Sequence, residues 1–239
     1  MKKLVDFCGI YVINLADRAD RRIEISRQLA SVGLSFESPG VNLFEAVRPL
    51  EAGGFESVGA RGCFMSHLGV LRQAISLGNV LVLEDDLDFV PNVEVLLGRA
   101  LVELPHNWGI FYGGCVTDLR PSNASVTRVP PSASLGTSHF VAFNGHVIAL
   151  LVKYLEAILL RPTGHIDGGP MHVDGAYSRF RADHPELLVF AAIPELGYQR
   201  PSRTDIHALK WFDRVPVVKE LVQFIRRRRA TKKRETHPT

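Results

Sequence analysis

Hydrophobic positions fall into two patterns along this chain, and their alternation orders the elements. The unbroken apolar stretch 80–83 lacks the polar alternation of a half-exposed strand, so it predicts a strand covered on both faces, and 9–15, 108–112 and 138–143 read as further strands. A shorter stretch near Phe36 and Val41 and another around 187–193 predict two more. Between them, Ile25, Leu29 and Val32 mark one side of a helix that Asp17 or Asp20 can cap and Gly33 can stop. Ser66, His67, Leu68, Leu71 and Ile75 mark a second helix, fed by a glycine-rich loop from Gly53 and ended by Gly78. Val93, Leu96, Leu97, Ala100, Leu101 and Leu104 mark a third, after Pro91 and Asn92. Val147, Leu150, Leu151, Tyr154, Leu155 and Ile158 mark a fourth, ended by Pro162. Strands alternating with helices predict an α/β fold with a mostly parallel central sheet. The stretch 116–136, rich in Ser and Pro, reads as a long loop able to close over a ligand.

The run 79–89, NVLVLEDDLDF, joins a predicted strand to Glu84, Asp85, Asp86 and Asp88. Four carboxylates so close raise one another's pKa unless a cation or hydrogen-bond donors compensate. Oxygen ligands at the carboxyl end of a strand suit Mg²⁺ or Mn²⁺ holding a diphosphate, and open α/β sheets bind ligands at that edge. A solvated acidic turn is the commoner fate of a charge run, and the run alone leaves the two readings even.

Composition adds bounds. The 239 residues are 46% hydrophobic and 22% charged, which is ordinary globular material with enough apolar surface for a core. Cys8, Cys63 and Cys115 are odd in number and far apart, which argues against a disulfide framework or a thiolate metal site and suits a reducing cytosol. The opening residues have a basic tip and an apolar stretch, but Asp6 interrupts them and no small-residue cleavage site follows, so a strand is expected rather than a signal peptide. No segment has the roughly 20 apolar residues of a membrane span. The formal charge of +3 conceals a tail, Arg226 to Arg234, with seven basic residues, so the remainder is slightly acidic. Behind the apolar stretch 215–225, that tail reads equally as a membrane-surface helix on anionic lipid or as a disordered solubilising end. It lacks the interleaved aromatics of a nucleic-acid contact. The expected division is a domain over 1–214 and an amphipathic, basic tail over 215–239.

A second acidic locus, HIDGGPMHVDGAYSRF (165–180), carries Asp167 and Asp174 around a Gly-Gly-Pro turn, with His165 and His172 nearby. A carboxylate here can serve as general base for a nucleophile placed by the first locus, although Asp beside Gly is also ordinary turn chemistry. Arg18, Arg21 and Arg22 follow the first strand and can face an anion, while the solvent side of a helix is the commoner place for each. His67, near the expected helix start, can donate to a phosphate or simply pack. Gln199, Arg200, Ser202, Arg203, Asp205 and His207 form a polar group near the end of the last strand, able to touch phosphate or metal.

Taken in order, YVINLADRADRR, GCFMSHLGVLRQAI and VLVLEDDLDF, followed more loosely by GHIDGGPMHVDGAYSRF and QRPSRTDI, resemble the glycosyltransferases of family 25. That family includes bacterial lipo-oligosaccharide galactosyltransferases and the collagen galactosyltransferases of animals. The resemblance runs from Tyr11 to about His207 and implies a GT-A-type Rossmann-like α/β/α sandwich. It implies a metal-dependent, inverting transfer of a hexose, galactose favoured, from a nucleotide sugar, UDP-sugar favoured, to a hydroxyl of a lipopolysaccharide or other cell-surface glycan. On it, Asp86 and Asp205 are expected to hold Mn²⁺ or Mg²⁺. Asn14, Arg21, Ser66, His67, Glu84, Asp85, Gln199 and Ser202 are expected around the donor, with Asp88 an outer or solvated carboxylate. Asp174, or Asp167 at its Ile-Asp dipeptide, is expected as the base. The partners implied are the nucleotide sugar and a glycan or glycolipid acceptor, in the cytoplasm or at the inner face of a membrane. A Mg²⁺-dependent phosphohydrolase or nucleotidyltransferase, and a non-catalytic membrane-tethered assembly factor on the same scaffold, are the alternatives.

Overall fold

The computed structural model describes residues 4–116 and 124–200, so the predicted tail, Ser202 and Asp205 lie outside the described residues. In chain order the elements are β1 (Gly9–Asn14), α1 (Ala19–Ser31), β2 (Val41–Glu45), α2 (Val58–Gln73), β3 (Val80–Glu84), β4 (Leu87–Phe89), α3 (Val93–Glu103), β5 (Trp108–Val116), β6 (Val126–Arg128), β7 (Gly136–Phe143), α4 (Gly145–Leu160), α5 (Val173–Asp183), β8 (Leu188–Ala192) and β9 (Gly197–Gln199). Seven strands form one sheet in the order β2-β1-β3-β7-β5-β8-β6, and β4 pairs with β9 in a separate ribbon. β2, β1, β3, β5 and β8 point one way; β7 runs against β3 and β5, and β6 runs against β8. The sheet is therefore largely parallel, as the strand and helix alternation predicts.

Both faces of the sheet are covered, which explains the unbroken apolar run of 80–83. In β3, Val80 and Val82 face a core with α2, α4 and α5, supplied by Phe64, Leu68, Leu151, Leu155, Tyr177 and Phe180. Leu81 and Leu83 face the opposite core with α1 and α3, supplied by Ile25, Leu29, Leu97 and Leu101. The period-2 alternation of strand side chains sends neighbours to opposite layers, so a strand in the middle of an α/β/α sandwich has no polar position to spare. Burial of each such leucine contributes about 1.5–3 kcal/mol.

Three local readings change. The helix expected to begin near Ser66 begins at Val58, because Ser57 caps it by accepting a hydrogen bond from the Ala60 amide at 3.0 Å. His67 is thus well inside α2, and cannot use a helix N-terminus to receive an anion. The run 79–89 is two strands, since β3 stops at Glu84 and the chain turns through Asp85 and Asp86 before β4 pairs with β9. The long loop 116–136 contains β6, and β5 continues through Gly113 and Gly114 with irregular register. A Cβ on Gly113 would lie 2.4 Å from the Phe140 ring, and one on Gly114 would lie 2.3 Å from the Gly197 carbonyl oxygen. Those glycines permit close approach of neighbours rather than ending the strand.

Candidate active site at the strand ends

The parallel strands β2, β1 and β3 finish side by side, with Asn14 opposite Glu45 and Ile13 opposite Glu84. Over this edge lies a cavity of about 290 Å³. Ile13, Leu15, Val47, Pro49 and Val58 supply apolar lining, while Arg21, Cys63, Ser66, His67, Glu84, Asp85 and Asp86 supply polar lining.

Each carboxylate at the end of β3 has a different environment. Glu84 accepts from Ser138 Oγ at 2.8 Å and faces His67 Nε2 at 3.2 Å, while His67 Nδ1 meets the Tyr177 hydroxyl at 3.0 Å. Burial alone would raise the Glu84 pKa, but the hydrogen bonds and charge of His67, with Ser138, hold it below the usual value. Asp85 accepts from Asn14 Nδ2 at 2.8 Å and from Arg21 Nη1 at 2.9 Å. Its pKa is raised by burial, with Arg21 and Asn14 opposing. Asp86 accepts from Gln199 Nε2 at 3.1 Å through Oδ2 and stands 3.7 Å from Arg21 Nη1. Its Oδ1 is buried with no hydrogen-bond partner among the described residues. Burial, then the charges of Glu84 and Asp85, push this carboxyl up to about 7 against the pull of Arg21. A buried carboxylate oxygen without a donor is costly unless a cation meets it, so Asp86 fits the oxygen site expected for a hard divalent metal.

Arg21 belongs to the site and not to solvent, the commoner place for it: it is 8% exposed and bridges Asp85. Arg18 pairs with Asp20 at 2.9 Å, and Arg22 donates to Asn14 Oδ1 at 2.9 Å. Asn14 therefore spends both ends of its amide on the protein, orienting Asp85. Ser66 does likewise, donating to the Gly62 carbonyl at 2.6 Å and accepting from the Val47 amide at 2.8 Å. That bond fixes the segment after β2 against α2 and shapes the cavity wall. Asp88 leaves the site: it accepts from Gln28 at 3.0 Å and from Arg200 at 2.6 Å, and Arg200 also pairs with Glu24. It is a tie between β4, α1 and the residue after β9.

The structure separates the two base candidates. Asp174, in the first turn of α5, accepts from the Thr137 amide at 3.1 Å and from the Gly175 amide at 2.7 Å. Thr137 does this at φ 69°, in the left-handed region that a β-branched residue rarely occupies. Together with Glu84, Asp86 and Asp85, the Asp174 charge adds to burial in raising the Cys63 thiol, so Asp174 lies within electrostatic reach of the cavity. Asp167 is on an exposed turn beside His165, and neither it nor Asp174 is among the residues that line the cavity. His172 pairs with Glu56 at 2.7 Å. Tyr177, Ser138 and His139 were missed in the sequence; the α5 and β7 residues around Glu84 carry no local signature, because only the tertiary fold brings them there.

No family model matches the chain. Over 178 residues, 66% of its length, it is 28% identical to a human protein named inactive glycosyltransferase 25 family member 3. Over 155 residues, 56% of its length, it is 25% identical to a Bos taurus protein named probable inactive glycosyltransferase 25 family member 3. The chain resembles members of glycosyltransferase family 25. It spans 30% and 26% of the lengths of these two relatives. Among solved structures, a Drosophila β-1,4-galactosyltransferase 7 mutant in complex with manganese, UDP-Gal and xylobiose superposes with a TM-score of 0.44 at 8% identity, covering 85% of this chain and 76% of that one. In this chain Arg21, Ser66, His67 and the Glu84–Asp86 turn converge on one cavity, with Asn14 hydrogen-bonded to Asp85 beside it.

Proposed function

We propose that this chain is a metal-dependent, inverting glycosyltransferase that moves a hexose from a nucleotide sugar to a glycan hydroxyl. The observation that carries the reading is the buried, unpartnered Oδ1 of Asp86 in the lining of the strand-end cavity. Asp86 would hold Mn²⁺ or Mg²⁺, with Asp205 as a further ligand from the segment outside the described residues. A cation there supplies neutralisation of the charge that grows on the departing diphosphate. Arg21 and Asn14 aim Asp85 and oppose the effect of its burial, and Asp85 and Glu84 are assigned to the nucleoside side of the donor, with Ser66, His67, Gln199 and Ser202 around them. Asp174 accepts the proton of the acceptor hydroxyl as its oxygen attacks the anomeric carbon, and inversion follows from that single displacement. Galactose from a UDP-sugar, a lipopolysaccharide or other cell-surface acceptor, and a cytoplasmic, membrane-peripheral location through the basic tail complete the proposal.

The word inactive in the names of both curated relatives favours a second reading, a non-catalytic factor on the same scaffold. Product identity decides. With Mn²⁺ and a panel of UDP-sugars, the wild type is expected to release UDP faster when acceptor glycan is present, and Asp86→Ala is expected to lose that release by at least about a hundredfold while remaining folded. Undiminished turnover in Asp86→Ala refutes the metal assignment, and no turnover in a folded wild type across the panel favours the second reading.

A further inference from the structure

The cavity also holds a donor set of different chemistry. Cys63 and His67 are four residues apart on α2, so both side chains leave the same helix face, and Glu84 meets them from the end of β3. One ligand atom from each, the Cys63 sulfur, a His67 ring nitrogen and a Glu84 carboxylate oxygen, lie within 4.8 Å of one another. Zinc bonds of about 2.0–2.3 Å place tetrahedral ligand atoms roughly 3.3–3.7 Å apart. The 3.2 Å between His67 Nε2 and Glu84 Oε1 is close to that spacing, and the wider spread requires Cys63 to draw inward by on the order of 1 Å.

The groups behind these ligands are in place as well. A metal-bound histidine characteristically gives its other ring nitrogen to a fixed partner, and a metal-bound carboxylate is itself hydrogen-bonded. His67 Nδ1 meets the Tyr177 hydroxyl at 3.0 Å, and Ser138 Oγ donates to Glu84 at 2.8 Å. With Nδ1–H given to the Tyr177 oxygen, Nε2 turns a lone pair toward Cys63 and Glu84. A cation there replaces the proton that otherwise bridges Nε2 and Glu84.

We propose that Cys63, His67 and Glu84 form a three-ligand site for Zn²⁺ in the cavity wall, with its fourth position open to the cavity. A sulfur, a nitrogen and one oxygen select a borderline-soft ion over the Mn²⁺ or Mg²⁺ suited to Asp86. Binding releases two protons to solvent, the Cys63 thiol proton and the one between His67 Nε2 and Glu84, as the metal bonds form. The wide spacing of the cysteines hides the site, since it uses one cysteine and takes its third ligand from another element. This inference does not rest on the transferase reading, and a Zn²⁺-loaded site takes Glu84 and His67 away from the nucleoside, leaving Asp85, Ser66 and Gln199 on that side of the donor.

Cobalt is the probe, because a thiolate bound to Co²⁺ gives a near-ultraviolet charge-transfer band and a tetrahedral ion gives strong visible absorption. Titrating Co²⁺ into the metal-free full chain is expected to produce both bands, saturating at one equivalent and erased by Zn²⁺. The thiolate band should vanish in Cys63→Ser, while Glu84→Gln should weaken Zn²⁺ binding by roughly tenfold or more. Asp86→Ala should keep the band, which separates this site from the hard-metal site. Absence of the thiolate band in folded wild type, or its survival in Cys63→Ser through Cys8 or Cys115, overturns the proposal. Glu84→Gln binding Zn²⁺ as tightly as wild type overturns the assignment of the third ligand.

Discussion

Burial and the charge of Glu84 push the Asp86 carboxyl from 3.8 to about 7. Folding of the metal-free protein therefore favours the protonated form. The stability this group contributes is complete below the unfolded pKa, 3.8, and is lost as pH rises through the folded value near 7. The full effect is on the order of 4 kcal/mol. Asp86→Asn removes the titration while keeping the shape, so the metal-free variant is expected to melt several degrees above wild type at pH 8, with the difference closing toward pH 4. A melting difference independent of pH would mean that the Asp86 charge is compensated in some other way. At this scale the sequence was informative about residue type and silent about partners. Crowding in Glu84–Asp88 announced a charge problem. Only the structure shows its four different solutions: His67 and Ser138 for Glu84, Arg21 and Asn14 for Asp85, Arg200 for Asp88, and an oxygen left open on Asp86.

Among the elements, α2 shows how local rules and tertiary contact compete. Its early glycines look like loop residues, and that hid the start of the helix at Val58. Gly62 is there because its backbone packs on the segment after β2: a Cβ would lie 2.5 Å from the Val47 carbonyl oxygen. Alanine is the better helix former by about 1 kcal/mol, yet a backbone clash has no soft neighbour to yield. Gly62→Ala is expected to destabilise by about 1–3 kcal/mol in urea unfolding and to disturb the 46–49 wall of the cavity. Gly175→Ala in α5, where a Cβ would meet only the Met171 sulfur at 3.8 Å, is the control expected to match or exceed wild type. Equal effects of the two would contradict the packing role of Gly62. Other elements were legible for physical reasons: β1 and β3 are covered on both faces and so are apolar up to their last residues, Asn14 and Glu84, and α4 keeps helical spacing up to Pro162. The place of β7, antiparallel between β3 and β5, was not, because strand pairing across the chain leaves no trace in a local period.

At the scale of the whole molecule, the sheet order converts distant sequence positions into one site. β1 brings Asn14, β3 brings Glu84 and the turn through Asp85 and Asp86, β7 brings Ser138, and β9 brings Gln199, while α1, α2 and α5 supply Arg21, His67 and Tyr177. The sequence motifs named the residues on β1, β3 and β9 by their order; the Ser138 and Tyr177 contributions from β7 and α5 come from packing alone. Among the described residues no helix is long and apolar enough to cross a membrane, and the basic tail lies outside them. The central claim is that the strand-end cavity binds a nucleoside diphosphate together with a divalent metal through Asp86, whether or not transfer follows. Calorimetric titration of UDP into the full chain, with and without Mn²⁺, tests it in wild type and Asp86→Asn. The expected result is UDP binding that requires Mn²⁺ in wild type and weakens at least about tenfold in folded Asp86→Asn. UDP binding that ignores Mn²⁺, or that is equally tight in Asp86→Asn, would contradict it.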